Sequence, residues 1–452
     1  MACIKRTALS LAVASVFAGG VSQAHASAFA LIEQNASGLG NAYSGAAAVA
    51  EDASTIYYNP AGMSLLQGET QISTGLNFIN LSLKFNDSGS SQPSGAALVP
   101  FNAAALRPLG GTGGNAGSIS GVPNFYMAGD IAPNWKFGIG VNVPFGLKTE
   151  YEPDWLGRFQ AIKSEISTLN VNPSLSWKLN DTVSLGAGFN YQQIDAELTS
   201  AVNYVAAAFL AAGGGAAGAA AAAAVPAANA EGTVSVTASD GAWGYNLGAM
   251  LQLSPDTRVG VSYRSPIRYH VTGSATFFNA PTNLNTGVSL NIEMPDSASV
   301  ALQKKLGSNW TLLADVTWTG WSKIKELAIQ RSDGSTLNNT PENFRNTWRY
   351  GVGATYRYSD SWSLKMGLAY DQTPVNDTDR TPRLPDQSRT WLAFGGQHKL
   401  SKDSTLDLGY AHLFIKNATI NQNEGNTTGF GLISGTYKGS VDVLGVQFAY
   451  RF

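Results

Sequence analysis

The stretch "TVSLGAGFNYQ" at 182–192 decides the fold. Val183, Leu185, Ala187, Phe189 and Tyr191 fall on one side of an extended chain, and Thr182, Ser184, Gly186, Gly188, Asn190 and Gln192 on the other. A period of two separates the faces of a β-strand. The pattern recurs along the chain. Trp135, Phe137, Ile139, Val141 and Val143 alternate with Lys136, Gly138, Gly140 and Asn142. Tyr245 to Leu253, Trp348 to Tyr358 and Trp362 to Tyr370 repeat it. A soluble sandwich also alternates, but its strands average roughly 5–6 residues and its apolar face points inward. These runs approach the ~9–11 residues that a membrane-crossing strand needs. Aromatics gather at their ends, as interfacial girdles do. The apolar face is therefore assigned to lipid and the polar face to a lumen.

Composition agrees with an exported membrane barrel. Lys5 and Arg6 precede an apolar run from Leu9 to Ala18, and Ala24-His25-Ala26 forms a cleavage signal. Residues 1–26 read as a signal peptide, with the mature chain starting at Ser27. Cys3, the one cysteine, leaves with it, which excludes disulfide and thiolate chemistry. Charged residues make up 13% of the chain, against roughly 25% in soluble proteins. A net charge of −2 gives no basis for nucleic-acid binding.

Connections alternate in length. Short turns at 132–134, 180–181, 254–256, 307–309, 359–360 and 401–403 separate long stretches near 86–121, 150–165, 199–232, 275–287, 332–342, 372–388 and 417–435. Seven long loops and six short turns join fourteen antiparallel strands, an even number as single-chain bacterial barrels require. Both termini then lie in the periplasm. Leu444, Val446, Phe448, Tyr450 and Phe452 give the last strand an aromatic, outward face. The Ala/Gly-rich run within 205–230 reads equally as a partly helical external loop or as a flexible insertion.

The first strand begins near Glu69, leaving 27–66 as a separate segment before a barrel of 67–452. Within it "YYNPAGMS" (57–64) contains a helix break, since Pro60 biases Asn59 toward extended backbone. The segment is too small to fold alone, so a plug packed in the lumen is expected.

The stretch "SAFALIEQNASGLGNAYSGAAAVAEDASTIYYNPAGMS" resembles the N-terminal hatch of the long-chain fatty acid outer-membrane transporters, the FadL family. "VPFGLKTEY" (143–151), "WLGRFQA" (155–161), "NVNPSLSWKLND" (170–181) and "YDQTPVNDTDRTPRLPDQSRTWLAFG" (370–395) extend the resemblance over the mature chain. The Ala/Gly-rich loop departs from it. The resemblance implies a monomeric fourteen-stranded barrel closed by a hatch, with passive, ligand-gated uptake of hydrophobic molecules and lateral exit at a kink in the third strand. Implied partners are fatty acids or aromatic hydrocarbons, outer-membrane lipid and lipopolysaccharide, and the barrel-assembly machinery.

Residue by residue, Pro144-Phe145-Gly146 reads either as ordinary strand termination or as a bulge; the resemblance implies the kink. Asn59, Pro60 and Ala61 are hatch candidates, Phe29 a candidate filler of the internal pocket, and Asp371 a candidate anchor near Asn59. By strand parity Arg264, Arg349, Arg357 and Lys365 could meet a carboxylate, as could Arg158 in the matched W-L-G-R stretch. Each reads more readily as a partner for a lumen acid, such as Asp315 or Asp371, than as a ligand contact. His270, His398 and His412 lack metal-ligand spacing and no nucleophile elbow accompanies them, so neither enzyme chemistry nor a cofactor is expected. Alternative functions on the same barrel are uptake of aromatic hydrocarbons, a general porin, and surface adhesion.

Overall fold

The computed structural model describes residues 28–92, 106–423 and 429–452. The proposed signal peptide lies outside the described residues. Fourteen barrel strands follow in chain order: β1 Thr70–Asp87, β2 Ile119–Ala132, β3 in two pieces (Trp135–Asn142 and Gly146–Glu150), β4 Lys163–Lys178, β5 Val183–Asn203 and β6 Glu231–Ser254. Then come β7 (Thr257–Arg264, Ile267–Phe278), β8 (Thr286–Met294, Ser297–Leu306), β9 (Trp310–Thr319, Glu326–Arg331) and β10 (Thr336–Pro341, Thr347–Arg357). The series ends with β11 Trp362–Asp371, β12 Arg389–Lys399, β13 (Ser404–Ile415, Ala418–Asn423) and β14 Leu432–Arg451. Neighbours run antiparallel, and β1 pairs with β14 from Gln71↔Arg451 to Asp87↔Gly435, so the sheet closes.

The faces are those the alternation predicts. Phe189, Trp243, Leu247, Val300, Met366, Leu408 and Leu444 are exposed on the outside, whereas Ser184, Asn190, Gln192 and Asn246 are buried within. Several strands outrun the expected boundaries. β5 has 21 residues and β6 has 24, pairing up to Asn203↔Glu231. The stretch 332–342 holds a tight turn at Ser332–Ser335 and the start of β10 rather than a long loop. These extensions carry Ser235, Thr237 and Ser239 on the outer face, so hydropathy stops marking the strand while its ladder continues. The Ala/Gly-rich insertion folds as two helices, Tyr204–Ala211 and Gly215–Ala223.

Residues 28–66 lie in the lumen and contain only short helical turns at Leu39–Asn41, Thr55–Tyr58 and Pro60–Leu65. Their polar groups bond to strands around the wall. Ala36 N–H donates to Gln447 Oε1 on β14 (2.9 Å), and Asn41 Nδ2 to the Ala354 carbonyl on β10 (2.9 Å). Gly45 N–H donates to Asp315 Oδ1 on β9 (3.1 Å), and Asn59 Nδ2 to the Ala249 carbonyl on β6 (3.0 Å). Glycine on the inner face lets the two backbones approach. A Cβ on Gly186 would stand 2.2 Å from the Ala61 nitrogen, and one on Gly248 2.0 Å from Asn59 Oδ1.

Candidate functional site

The wall breaks in β3. Its first piece pairs with β2 as far as Phe125↔Val141 and with β4 as far as Asn142↔Asn170. Pro144 carries no N–H, which ends the ladder there. The second piece pairs with β4 alone, from Gly146↔Ser167 to Glu150↔Lys163. Beyond Phe125, β2 runs on to Ile119 beside β1 alone. The edge of β3 that would face β2 is taken by the chain's own N-terminal segment. Leu31 N–H donates to the Pro144 carbonyl and Gly146 N–H to the Phe29 carbonyl, both at 2.8 Å, with Ala30 opposite Phe145. On the other edge Phe145 N–H donates to Thr168 Oγ1 (2.9 Å).

Three cavities run from the outer loops to this break. The outer one, about 260 Å³, is lined by Phe159, Leu198, Tyr204, Phe277, Leu284 and Phe430. The middle one, about 80 Å³, is aliphatic, with Ile194, Val236, Val271, Ile292 and Leu384 in its wall. Leu198, Val236, Leu327, Ile329 and Arg383 line both, so the two adjoin. The inner cavity, about 150 Å³, lies against Ala30, Leu31, Tyr57, Pro144, Phe145, Trp321 and Arg349. A ring cluster separates the middle from the inner cavity. Phe29 meets Trp321 edge-on with centroids 4.8 Å apart and Phe145 at 6.1 Å, and Trp321 meets Phe344 at 6.1 Å. Phe29 itself is buried.

Asn59 is fully buried and works as a strap. Its Nδ2 also donates to the Ala47 carbonyl (2.7 Å), and its Oδ1 accepts from Ala61 N–H (3.1 Å), capping the turn that Pro60 opens. Asp371 does not touch it. That carboxylate lines the inner cavity and lies 4.0 Å from Arg389 Nε, whereas the Asn59 side chain bonds to Ala47 and to Ala249 on β6.

The predicted cations separate into four groups. Arg264 and Arg349 line the inner cavity and are held by protein partners. Arg264 donates to Asn190 Oδ1 (2.6 Å) and the Tyr57 carbonyl (3.0 Å), with its guanidinium 4.3 Å from the Tyr57 ring centre. Arg349 pairs with Asp315 (3.3 Å) and donates to the Ala42 carbonyl. Lys365 is buried away from the cavities, tying the luminal N-terminal segment to the wall through Ser37 O (2.9 Å), Glu51 (2.9 Å) and Asp407 (3.2 Å). Arg158, fully buried, is taken by Glu231 at 2.8 Å in the outer loops. Arg357 is the last residue of β10, in register with Ser363 at a short turn, where its side chain is exposed and pairs with Asp360 (2.7 Å), away from the cavities. Two charged residues absent from the expectations line the middle cavity, Glu342 and Arg383. Arg383 falls in the stretch 370–395 quoted above, but it belongs to a loop, where period-two parity gives no direction.

The family model for outer membrane protein transport proteins (OMPP1/FadL/TodX) matches residues 17–452. The chain belongs to that family. It is 27% identical over 467 residues to the long-chain fatty acid transport protein of Escherichia coli strain K12, covering 99% of this chain and 98% of that one. Its structure is similar to the crystal structure of a Pseudomonas aeruginosa FadL homologue, with a TM-score of 0.84 at 25% identity over 94% of this chain and 100% of the other. The Pseudomonas putida toluene transporter TodX aligns at a TM-score of 0.64 and 18% identity over 88% of this chain and 94% of that one, a likeness of fold alone. The protein is therefore a bacterial outer-membrane β-barrel that transports hydrophobic compounds, a channel and not an enzyme.

Proposed function

We propose that this FadL-family barrel takes up long-chain fatty acids or similar elongated amphipaths passively, and that the ligand itself opens the exit. The reading rests on one observation: the N-terminal residues pair with the broken β3 in place of β2, and Phe29 at their head stands between two apolar cavities. A ligand advancing from the middle cavity must displace the Phe29 ring. Moving Phe29 strains its carbonyl's bond to Gly146 and the bridge of Ala30 to Phe145. Their release exposes the gap between β2 and the second piece of β3, and the ligand leaves sideways into the membrane. The segment 27–66 is then a hatch within a barrel of 67–452, and the short turns and both termini face the periplasm. Arg383 beside the apolar walls favours a ligand with a carboxylate.

A second reading, uptake of aromatic hydrocarbons, is favoured by the rings of Tyr43, Tyr57, Tyr58, Phe145 and Trp321 around the inner cavity. Uptake of labelled oleate and of labelled toluene by a strain lacking its own transporters separates the two. Oleate uptake that depends on the protein supports the first reading; toluene uptake alone supports the second. Large steady ion currents from the intact protein in planar bilayers would refute both, since a hatch-closed barrel conducts negligibly.

A further inference from the structure

The Glu342 carboxylate and part of the Arg383 guanidinium are left without a protein partner among the described residues. Glu342 sits in the bend that joins the two pieces of β10 and is 4% exposed. Its backbone N–H is spent on the Lys325 carbonyl (2.8 Å), but among the described residues no donor reaches its carboxylate. Arg383, on the connection from β11 to β12, uses Nη1 on Ser164 Oγ (3.0 Å) and on the Lys163 (3.1 Å) and Thr199 (3.5 Å) carbonyls. Its Nε and Nη2 have no acceptor among the described residues. The two side chains line one aliphatic cavity and form no ion pair with each other. Apart from Ser164 and Ser289, the lining from β4 to β9 is aliphatic. Asp379, on the same connection as Arg383, is the other charged group acting on Glu342.

We propose that Glu342 and Arg383 together form a head-group site for a monocarboxylic amphipath, in which ligand and Glu342 share one proton. The proposal rests on the fatty acid reading above. Its ground is charge neutrality in a cavity without water-like screening. Guanidinium plus two ionised carboxylates leaves one unbalanced negative charge among aliphatic groups. Guanidinium plus two carboxyl groups holding one proton between them is neutral. Two carboxylates in one site share a proton for this reason. Either placement of the proton works: Glu342 donates to the ligand's carboxylate, or the ligand's acid donates to Glu342, while Nε and Nη2 of Arg383 donate to the ligand in both. Burial prepares the site by pushing Glu342 up to about 8, so it enters the complex protonated at neutral pH. Burial also lowers Arg383, to about 10, which leaves it charged there.

The test is binding to the purified full chain in detergent, followed by calorimetry. Laurate and 1-dodecanol serve as probes, at pH 7 and pH 9. An alcohol can donate to ionised Glu342 and accept from Arg383, so its affinity should not change with pH. Laurate affinity should fall about tenfold from pH 7 to pH 9, since above about 8 each complex must take up a proton from solvent. Glu342→Gln, which always donates, should abolish that fall. Arg383→Met should weaken laurate roughly 10- to 100-fold and dodecanol less. Heat-modifiable gel mobility of each variant checks that the barrel is intact. A native laurate affinity that is flat with pH, or a Glu342→Gln variant that keeps the native slope, overturns the proposal and leaves fatty acid uptake standing. Binding of toluene with no binding of laurate or dodecanol overturns the uptake reading and the proposal with it.

Discussion

Replacing Asn59 with Ala should loosen the hatch without unmaking the barrel. The side chain is fully buried and makes three hydrogen bonds, two as donor from Nδ2 and one as acceptor at Oδ1. Loss of the cap on Ala61 N–H costs about 1 kcal/mol. Each of the two donor bonds contributes about 1 kcal/mol net. The sum, about 3 kcal/mol, falls on the docking of 55–66 and not on the ladder, because the β6 strand that accepts one bond keeps its own pairing with β5 and β7. At 1.4 kcal/mol per decade, local opening should rise about 100-fold. Hydrogen exchange followed by mass spectrometry reads this directly at the amides of Ala61 and Gly62, the latter bonded to the Asn59 carbonyl at 2.9 Å. Amides of β6 and β7 act as internal references. Asn59→Asp separates the two roles of the residue. It keeps the acceptor for Ala61 but turns a donor toward two carbonyls into an acceptor, so it should open the hatch at least as far as Ala. Native protection at Ala61 in both variants would refute the strap. Equal loss of protection in β6 would refute the claim that the effect is local.

Three further outcomes follow from the same geometry. Rebuilding Pro144-Phe145-Gly146 as a regular β-branched strand should let β3 pair with β2 throughout; ligand uptake should drop to background while ligand binding persists, and normal uptake would exclude this exit. Lys365→Met removes the buried cation between Glu51 and Asp407, which should cost about 3–5 kcal/mol of hatch docking and raise protease cleavage within 37–52; an unchanged cleavage rate would show the tether to be idle. Glu33, fully buried with no other residue's donor on its carboxylate among the described residues, is pushed up from 4.5 to about 7 by burial, opposed by its own backbone N–H, Arg389 and Arg349 and reinforced by Asp371. A raised acid binds its proton more tightly docked than free, so hatch protection should be greatest below pH 4.5 and decline as pH rises through 7. Glu33→Gln should remove that dependence in exchange measurements; a native slope in the variant would assign it to another group.

The barrel was legible because its signal is local. In "TVSLGAGFNYQ" each residue declares its face by chemistry, and a strand's period of two converts that into lipid and lumen. Turn residues such as Pro133-Asn134 mark where strands reverse, and fourteen strands follow by counting. The break at Pro144 was legible as an interruption, since proline cannot donate to a ladder. The same logic failed beyond the membrane, where β5 and β6 continue with polar outer faces, and at Arg357, the last residue of β10, whose side chain is exposed beside the turn. What fills the break was not written locally. That Ala30 lies beside Phe145, 115 positions later, depends on closure of the whole sheet and on the path of the hatch inside it. The cations teach the same point. Sequence supplies a charge and, in a strand, a direction, but a charge binds a ligand only where no protein group has claimed it. Arg158, Arg349 and Lys365 are claimed by Glu231, Asp315 and Asp407, which lie far from them along the chain. Glu342 and Arg383 line one cavity although they lie 41 positions apart, one in the bend of β10 and one on the connection from β11 to β12. Sequence alone determined that this chain closes into an outer-membrane barrel; tertiary structure decided which of its buried charges lack an ion-pair partner, because pairing depends on position in space and not on spacing in the chain.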